Sequence, residues 1–416
     1  MAFLKKKKFR IAFIIVLVLA FVLVVGGVVA THYLIASELS KIAENSWNNY
    51  KNGKENFNGG FAMRVLSPKG NYFVSTGIDN ASLSTHFRTA SVSKTFTSAA
   101  IMLLNQRGQL NIDDKITANI PGKDIAYVPN DENFAVPYKD QITIKMLLMH
   151  RAGIFDVSND AIPLNDYSYD EPYVEKSYIQ YIESTNPNHT FTFDELVGVD
   201  AKNKLSFFKP GTEYKYSNTG YSMLGKIIER VSGKSYAEFI TSELLKPNGL
   251  NDTIVMYNGS EQDLPQPYAK GYEWANGEVE DVTKSNMSPH VAEGSIITTP
   301  RDLASWAEKL FNGKAGLTKQ SVELMMDSCS STGSGATTAG KYGLGIMCTD
   351  KGYYGHNGAH AGYLSYMMYN PKTQVGYVTF TNSWDCQTCA TSLDSLKTQL
   401  FTMEDMAKEV LQKLGY

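Results

Sequence analysis

Segments with the composition of β-strands lie near both ends of this chain, and helical patterns dominate between them. Near the start, two such segments flank the turn Pro68-Lys-Gly70 and predict a β-hairpin over 61–66 and 72–76. Near the end, strand composition recurs in three segments, Tyr342 to Cys348, Gly362 to Tyr369 and Val375 to Thr381. Because a sheet needs other elements to cover its apolar face, this order predicts an α+β fold of the α/β sandwich type, with one antiparallel sheet built from N- and C-terminal strands and flanked by helices.

The middle of the chain carries mainly helical signals. Amphipathic spacing predicts a helix from Ser222 to Val231, and further helices are expected from Phe193 to Asn203 and from Tyr236 to Leu245. The segment from Phe155 to about Asn188 is acidic, rich in tyrosine and without clear periodicity, and we interpret it as a surface loop that shapes a site. We expect one domain over residues 59–416, with a mainly helical subdomain inserted at about 110–335.

A basic N-terminus that includes Arg10 precedes an uncharged run from Ile11 to Ala30. Twenty helical residues span roughly 30 Å, the thickness of a bilayer core, so we expect a transmembrane anchor within residues 1–35. Residues 36–58 are expected to form a juxtamembrane helix, from Ser37 to Tyr50, and a polar linker. Signal-peptide cleavage after Val28-Val-Ala30 is the alternative. With the anchor kept, the protein would cross the cell membrane once, through residues 11–30, and the rest would be extracytoplasmic.

The charge balance bears on the partners of the chain. Five of its 39 Lys and Arg residues precede Ile11, so the rest of the chain, which carries all 42 Asp and Glu residues, is net acidic. A nucleic-acid-binding protein would instead present a basic face. We therefore expect no nucleic-acid partner, and we expect a monomeric domain.

All four cysteines lie in the last quarter of the chain: Cys329, Cys348, Cys386 and Cys389. In an exported protein, disulfides are the simplest interpretation, with three possible connectivities. The spacing Cys386-Gln-Thr-Cys389 could also indicate a zinc or redox site, but no second short spacing and no nearby histidine accompany it. His356 and His360 are four residues apart in a glycine-rich context, so they would not share a helix face as zinc ligands. We expect no metal and no cofactor.

Ser91-Val-Ser-Lys94 stands where a buried helix is predicted to begin. A serine in this place is commonly an N-cap. Because Lys94 is three residues further on, its ammonium would lie on the same helix face as the Ser91 hydroxyl and could activate that hydroxyl as a nucleophile. A second copy, Ser206-Phe-Phe-Lys209, is followed by Pro210, which disfavours helical geometry at Lys209. Only the Ser91 copy therefore has the surroundings of a helical Ser–Lys pair.

Two further segments carry side chains that suit such a pair. A tyrosine beside a lysine can have the pKa of its phenol lowered, so Tyr216 could accept the serine proton and pass it to a leaving group. The Asn218 amide could bridge the lysine and a substrate carbonyl. The segment Gly355-His-Asn-Gly-Ala-His-Ala-Gly362 precedes a predicted strand, and its glycines would let a substrate backbone approach closely. For Tyr216 the alternative is a packing role in a tyrosine-rich chain.

From about Asn56 to its end, the chain resembles the serine β-lactamase-like and penicillin-binding protein family. It is most similar to the branch that holds class C β-lactamases and D-alanyl-D-alanine carboxypeptidases. The resemblance rests on the order and spacing of five blocks: Phe87-Arg-Thr-Ala-Ser-Val-Ser-Lys94, Ile144-Lys-Met-Leu-Leu-Met-His-Arg-Ala-Gly153, Pro210-Gly211 with Tyr214-Lys-Tyr-Ser-Asn-Thr-Gly-Tyr221, Gly294-Ser-Ile-Ile-Thr-Thr-Pro-Arg-Asp302, and Gly355-His-Asn-Gly358.

The resemblance implies catalytic roles for three of these residues. By position, Ser91 corresponds to the acylated nucleophile, Lys94 to its proton partner and Tyr216 to the general base and acid. Asn218 corresponds to a substrate-orienting amide. These roles are implied by the resemblance and not by local pattern alone.

The resemblance also implies a substrate-binding strand. His356, Asn357 and Gly358 take the place of the Lys-Thr-Gly motif of β-lactamases and penicillin-binding proteins. The backbone N–H groups of Ser91 and Ala359 would form the oxyanion hole. No Lys-Thr-Gly occurs in this chain, so a histidine would face a substrate carboxylate, and histidine carries less charge than lysine near neutral pH.

The expected activity is that of an extracytoplasmic serine hydrolase working through an acyl-enzyme on Ser91. The resemblance implies first a D-alanyl-D-alanine carboxypeptidase-like penicillin-binding protein that acts on small cell-wall (peptidoglycan) peptides, with β-lactams as acylating ligands. Alternatives are a class C-like β-lactamase, an esterase (including a D-Ala ester hydrolase) and a penicillin-binding sensor with little turnover.

Overall fold

The computed structural model describes residues 27, 30–333, 340–389 and 392–416. Its α-helices are α1 over residues 30–51, α2 (Lys94–Gln106), α3 (Ile144–Leu148), α4 (Tyr178–Thr185), α5 (Phe193–Lys202), α6 (Asn218–Ser232), α7 (Tyr236–Phe239), α8 (Pro300–Phe311), α9 (Lys319–Asp327) and α10 (Asp394–Lys413). Its strands are β1 (Phe61–Leu66), β2 (Tyr72–Thr76), β3 (Phe87–Arg88), β4 (Ile254–Val255), β5 (Tyr272–Ala275), β6 (Glu278–Asp281), β7 (Ile296–Thr298), β8 (Ser330–Ser331), β9 (Lys341–Tyr342), β10 (Met347–Cys348), β11 (Tyr354–His360), β12 (Tyr363–Asn370), β13 (Val375–Thr381) and β14 (Ser383–Asp385). Short 3₁₀ helices lie at Ala90–Ser93, Glu132–Phe134, Lys139–Gln141, Lys246–Asn248 and Ser288–His290, and a π-helix at Ile240–Leu245 continues α7.

The largest sheet combines strands from both ends of the chain. Its eight strands run in the order β2-β1-β13-β12-β11-β10-β9-β8, and every neighbouring pair is antiparallel. The N-terminal hairpin joins the C-terminal strands through β1 and β13, with Phe61 opposite both Thr76 and Thr381. This confirms the expected antiparallel sheet and the predicted hairpin. Two three-stranded sheets, β14-β5-β6 and β3-β7-β4, lie beside it.

Helices cover both faces of the large sheet. On one face, Phe61, Met63 and Val65 of β1 pack in a cluster with residues of α1 and α10. On the other face, Ala62 of the same strand belongs to the main core, which includes residues of α2, α6 and α8. This alternation is the period-two pattern of a strand buried on both sides. The result is a sandwich, with α1 and α10 on one face of the sheet and α2, α6 and α8 in the core on the other face.

One predicted strand is divided by a turn. The segment from Tyr342 to Cys348 forms the short strands β9 and β10, which pair with each other around residues 343–346. Gly345 in this turn has a φ of +72°, and a Cβ there would lie 2.4 Å from the Cβ of Ser98 in α2. Close packing on α2 therefore bends the strand, and the bend places Tyr342 beside β11.

The expected transmembrane helix and single-pass membrane location need correction. Across residues 27, 30–333, 340–389 and 392–416, no helix combines the length and apolarity needed to cross a bilayer. The helix predicted from Ser37 to Tyr50 lies within α1, which buries Leu39, Ala43 and Trp47 against the sheet and exposes charged residues on its other side. The expectation is therefore wrong for the chain that the structure describes. Most of the segment 11–30 on which it was based lies outside the described residues.

The cysteines form two disulfides, Cys329–Cys348 and Cys386–Cys389. This confirms the prediction of disulfides and selects one of the three connectivities. The first disulfide joins the end of α9 to β10, beside the turn that carries Tyr342. Among the described residues, no group of histidine, cysteine, aspartate and glutamate side chains is arranged to hold a metal ion.

Candidate active site

Ser91 lies in a 3₁₀ turn, not in the first turn of the predicted helix. The turn Ala90–Ser93 follows β3, and α2 begins only at Lys94. Ala90 has a φ of +47°, a left-handed conformation that a residue with a Cβ rarely adopts. Such strain next to a reactive side chain is typical of functional sites. The turn still keeps the side chains of Ser91 and Lys94 together, with Lys94 Nζ 3.2 Å from Ser91 Oγ.

Lys94 is fully buried at the centre of a polar cluster. Besides Ser91, its Nζ donates to Asn218 Oδ1 at 2.7 Å, to the Glu293 carbonyl oxygen at 3.0 Å and to Glu293 Oε2 at 3.2 Å. Burial lowers the pKa of Lys94, and the Glu293 carboxylate opposes this effect. A buried lysine with a lowered pKa and a serine hydroxyl within reach is placed to accept the proton of that hydroxyl.

Tyr216 is half-buried beside this pair, with its hydroxyl shielded from solvent and its ring facing the Lys94 ammonium at 4.7 Å. Burial raises the pKa of the Tyr216 phenol well above its usual range, whereas the contact with Ser91 acts to lower it. The expected lowering by Lys94 is not found, because burial dominates and repulsion by the Glu293 carboxylate adds to the rise in this pKa. Within the described residues the hydroxyl has no hydrogen bond of normal geometry. In this structure Tyr216 is therefore a neutral phenol, a proton donor facing Ser91.

Asn218 is the first residue of α6 and is held in place from several sides. Ser217 caps the helix by accepting from the Gly220 N–H, and the Ser217 N–H donates to His150 Nδ1. Since the Asn218 Oδ1 accepts from Lys94, its Nδ2 group is left for a substrate carbonyl. The structure therefore brings Ser91, Lys94 and Asn218 together as expected from the five sequence blocks.

His356 is close to the site but differs from the expectation. It is fully buried; its Nδ1 donates to the carbonyl oxygen of Asn357, so its Nε2 accepts from the Tyr342 hydroxyl at 2.9 Å. Burial lowers the pKa of His356 to about 3, and Lys94 adds to the effect by repulsion. The ring is neutral and engaged at both nitrogens, so it does not offer a positive charge to a substrate carboxylate.

β11 lies close to the nucleophile at Gly358. A Cβ on Gly358 would lie 2.1 Å from the Thr89 carbonyl oxygen and 3.0 Å from the Ser91 nitrogen. The Asn357 N–H donates to the sulfur of Met347 in β10, so the Ala359 N–H, two residues further along, points to the same side. The oxyanion hole formed by the N–H groups of Ser91 and Ala359 stays a prediction.

The side chains of Asn357 and Ala359 point away from the site. Successive residues of a strand face opposite sides, so these two lie opposite to His356 and Gly358. Ala359 packs against the cluster that α1 and α10 form on the outer face of the sheet. Gly358 lies on the face of β11 that is next to the nucleophile, and the side chains of Asn357 and Ala359 lie on the other face. These two residues could therefore contact a substrate through their backbone only.

Sequence reasoning missed three buried side chains that surround the pair. Glu293 bonds Lys94, His150 accepts from Ser217 and lies with its ring centroid 4.2 Å from that of Tyr216, and Asp156 accepts from the Asn218 N–H. His150 lies inside one of the five blocks of the resemblance, and Glu293 directly precedes another. The positions of His150 and Glu293, in or next to these blocks, could have marked them as candidates. Their contacts join residues that are far apart in the sequence, so only the fold reveals those contacts.

Asp156 gives a prediction for the dependence of stability on pH. Burial raises the pKa of this carboxyl to about 6, and repulsion by Glu293 adds to the rise. Because an unfolded aspartate titrates near pH 4, the folded state keeps a proton that the unfolded state has lost. The contribution of this group is therefore fully present below about pH 4 and is lost as pH rises through about 6.

We expect Asp156→Asn to remove this dependence. The difference in free energy of unfolding, wild type minus variant, should fall by roughly 2–3 kcal/mol between pH 4 and pH 7. Urea denaturation at a series of pH values measures it, with the exposed Asp166→Asn as control. Parallel curves for the wild type and Asp156→Asn would contradict the assignment.

Residues 48–393 match the model of the family described as Beta-lactamase. Protein flp of Staphylococcus aureus (strain NCTC 8325 / PS 47) is 29% identical over 336 residues, which are 80% of this chain and 58% of that protein. Penicillin-binding protein 4* of Bacillus subtilis (strain 168) is 31% identical over 188 residues, which are 45% of this chain and 34% of that protein. The chain thus spans less than two thirds of the length of either relative.

Among solved structures, the D-amino acid amidase from Ochrobactrum anthropi SV3 complexed with L-phenylalanine amide is similar to this chain. Its TM-score is 0.69 at 22% identity, and the match covers 91% of this chain and 99% of that one. At this identity the likeness shows that the two chains share a fold.

Proposed function

The chain belongs to the Beta-lactamase family, and from this premise we propose that it is a serine hydrolase that cleaves amide or ester bonds through an acyl-enzyme on Ser91. The observation that carries the proposal is the contact of Lys94 Nζ with Ser91 Oγ at 3.2 Å inside a buried cluster. A weak nucleophile needs a base within hydrogen-bond reach, and Lys94 is that base.

The geometry supports a balanced proton path for acylation. With Lys94 in its neutral amine form, Ser91 Oγ attacks the substrate carbonyl carbon while its proton passes to the Lys94 amine, and the N–H groups of Ser91 and Ala359 hold the oxyanion. The neutral Tyr216 phenol gives its proton to the leaving group, and the Lys94 ammonium reprotonates Tyr216. The leaving group thereby gains one proton in exchange for the proton lost by Ser91, and Lys94 and Tyr216 return to their initial protonation states. Water then hydrolyses the acyl-enzyme.

Two substrate classes differ in the leaving group that the site would release. A D-alanyl-D-alanine carboxypeptidase releases an amino acid with a carboxylate, and cell-wall peptides of this kind are the first candidate from the sequence. The neutral, engaged His356 favours a second candidate, because it leaves the leaving-group side without the expected positive charge. That candidate is hydrolysis of D-aminoacyl amides or esters, in keeping with the named activity of the D-amino acid amidase that shares the fold.

We expect a fluorescent penicillin to label the wild-type protein covalently and to leave Ser91→Ala unlabelled. The reason is that without Oγ no acyl bond can form at this position. Label is read after denaturing electrophoresis. Unlabelled wild-type protein would contradict an acylating serine, and label that survives in Ser91→Ala would place the nucleophile elsewhere.

Turnover on one preparation then separates the candidates. The rates to compare are those on a D-alanyl-D-alanine peptide, a D-amino acid amide, a simple ester and a chromogenic cephalosporin. Fastest turnover of the amide or ester supports the second candidate, and fastest turnover of the peptide supports the first. A cephalosporin turned over far faster than the rest would identify a β-lactamase. Stable label without turnover would indicate a penicillin-binding sensor.

A further inference from the structure

A chain of hydrogen-bonded side chains leads from the nucleophile towards solvent. Lys94 Nζ contacts Ser91 Oγ on one side and Glu293 Oε2 on the other, each at 3.2 Å. The second carboxylate oxygen, Glu293 Oε1, accepts from His290 Nδ1. Lys94 is fully buried and the Glu293 side chain is nearly so, whereas the His290 side chain is 20% exposed. The proton partner of Ser91 is thus connected to a partly exposed histidine by one carboxylate.

Glu293 is shared between two cations. Burial acts to raise the pKa of Glu293, but Lys94 and His290 outweigh it and hold this pKa below its usual range. Burial also acts to lower the pKa of His290, and the Glu293 carboxylate overcomes this and raises it. Since the Glu293 carboxylate interacts with both cations, a positive charge on His290 weakens the stabilisation of the Lys94 ammonium by Glu293.

We infer that Glu293 and His290 are positioning residues that set how readily Lys94 gives up its proton, and therefore the pH above which Ser91 is acylated. The inference rests on the proposed function, in which Lys94 takes the Ser91 proton. Glu293 stabilises the ammonium, whereas protonated His290 competes for the carboxylate and repels the ammonium. Glu293 and His290 therefore have opposite effects on the loss of the Lys94 proton, although they belong to one hydrogen-bonded cluster.

Other ionisable groups act on this cluster from the surrounding elements. Asp156 interacts with both Lys94 and Glu293, and Glu183 of α4 favours the charged form of His290. The remaining groups that interact with one of the three residues are Tyr216, Tyr221, Tyr236, His150, His356 and His360. None of these bridges Lys94 and a surface group through a single side chain as Glu293 does, among the residues that the structure describes.

The test is the pH dependence of acylation by a fluorescent penicillin. Glu293→Gln removes the carboxylate, so the acidic limb of the rate profile should move to lower pH by about 1 unit. His290→Asn keeps a neutral donor for Glu293 but removes the charge, so the limb should move to higher pH by about half a unit. On the limb, half a unit corresponds to roughly a threefold change in rate at fixed pH.

His360→Asn is the matched control. Its ring centroid is 5.7 Å from that of His290, but burial holds the pKa of His360 well below its usual range, so its replacement removes no charge, and its Nε2 contacts Ser285 and not Glu293. The control should leave the limb in place. The amount of label at completion gives the fraction of folded, acylable protein, so rates are compared per active molecule.

The outcomes separate the two proposals. Shifts of opposite sign in Glu293→Gln and His290→Asn support the inference. An unmoved limb in both variants, or shifts of the same sign, would overturn it. If Glu293→Gln fails to fold, the sign of the His290→Asn shift decides alone. Absence of labelling in the wild type would instead overturn the acyl-enzyme itself.

Discussion

Replacement of Lys94 by methionine is expected to slow acylation of Ser91 by about 10²–10⁴-fold, the usual contribution of a positioned general base. Methionine keeps most of the side-chain volume but cannot accept the proton of Ser91. Label with a fluorescent penicillin as a function of time measures the rate. Lys209→Met is the matched control, because Lys209 belongs to the other Ser-x-x-Lys copy and is exposed. Equal slowing in both variants would contradict the role of Lys94.

The same substitution is also expected to destabilise the fold. Glu293 would lose one of its two cationic partners while it stays buried, and an uncompensated buried charge lowers the free energy of unfolding. Adding Glu293→Gln should restore part of that stability without restoring acylation. Urea denaturation and labelling of the single and double variants separate the two effects. Recovery of acylation in the double variant would show that Lys94 acts only through structure.

The substitution Gly358→Ala is expected to slow acylation by about 10²-fold, the effect of a displacement near 1 Å at a reacting group. The new Cβ would lie 2.1 Å from the Thr89 carbonyl oxygen and 3.0 Å from the Ser91 nitrogen. Both are backbone atoms, so relief requires that β11 move away from the turn that holds the nucleophile. Overpacking of this kind should also lower the free energy of unfolding by about 1–3 kcal/mol.

Gly220→Ala is the matched control for Gly358→Ala. Gly220 lies in α6, close to Asn218, yet a Cβ there would have its nearest neighbour at 3.7 Å, an ordinary contact. This variant should be labelled at the wild-type rate and be as stable as the wild type or up to about 1 kcal/mol more stable, since alanine favours helices over glycine. Unchanged labelling of Gly358→Ala would show that β11 does not constrain Ser91.

Local sequence patterns predicted most strands of the large sheet, because the composition and turns that indicate a strand lie within the strand itself and next to it. The hairpin of β1 and β2 was indicated by strand composition and the turn Pro68-Lys-Gly70, and β13 was predicted with the bounds that the structure has. The same approach failed where a distant contact decides the backbone. The strand predicted from Tyr342 is broken because Gly345 must fit against Ser98 of α2. The apolar run near the N-terminus was interpreted from its length, its lack of charge and the basic residues before it; most of it lies outside the described residues, and the described chain contains no helix that could span a bilayer.

The sequence by itself determined the order of the elements and the family, and through the resemblance it identified Ser91, Lys94, Tyr216 and Asn218 as residues that meet. Only the tertiary structure decided their charges. Glu293 reaches Lys94 across 199 residues of chain, and burial makes His356 neutral and keeps the Tyr216 phenol protonated. A pKa depends on burial and on neighbours in space, and neither is encoded in a local pattern of residues. The residue types could therefore be predicted, whereas the protonation states that govern their chemistry required the fold.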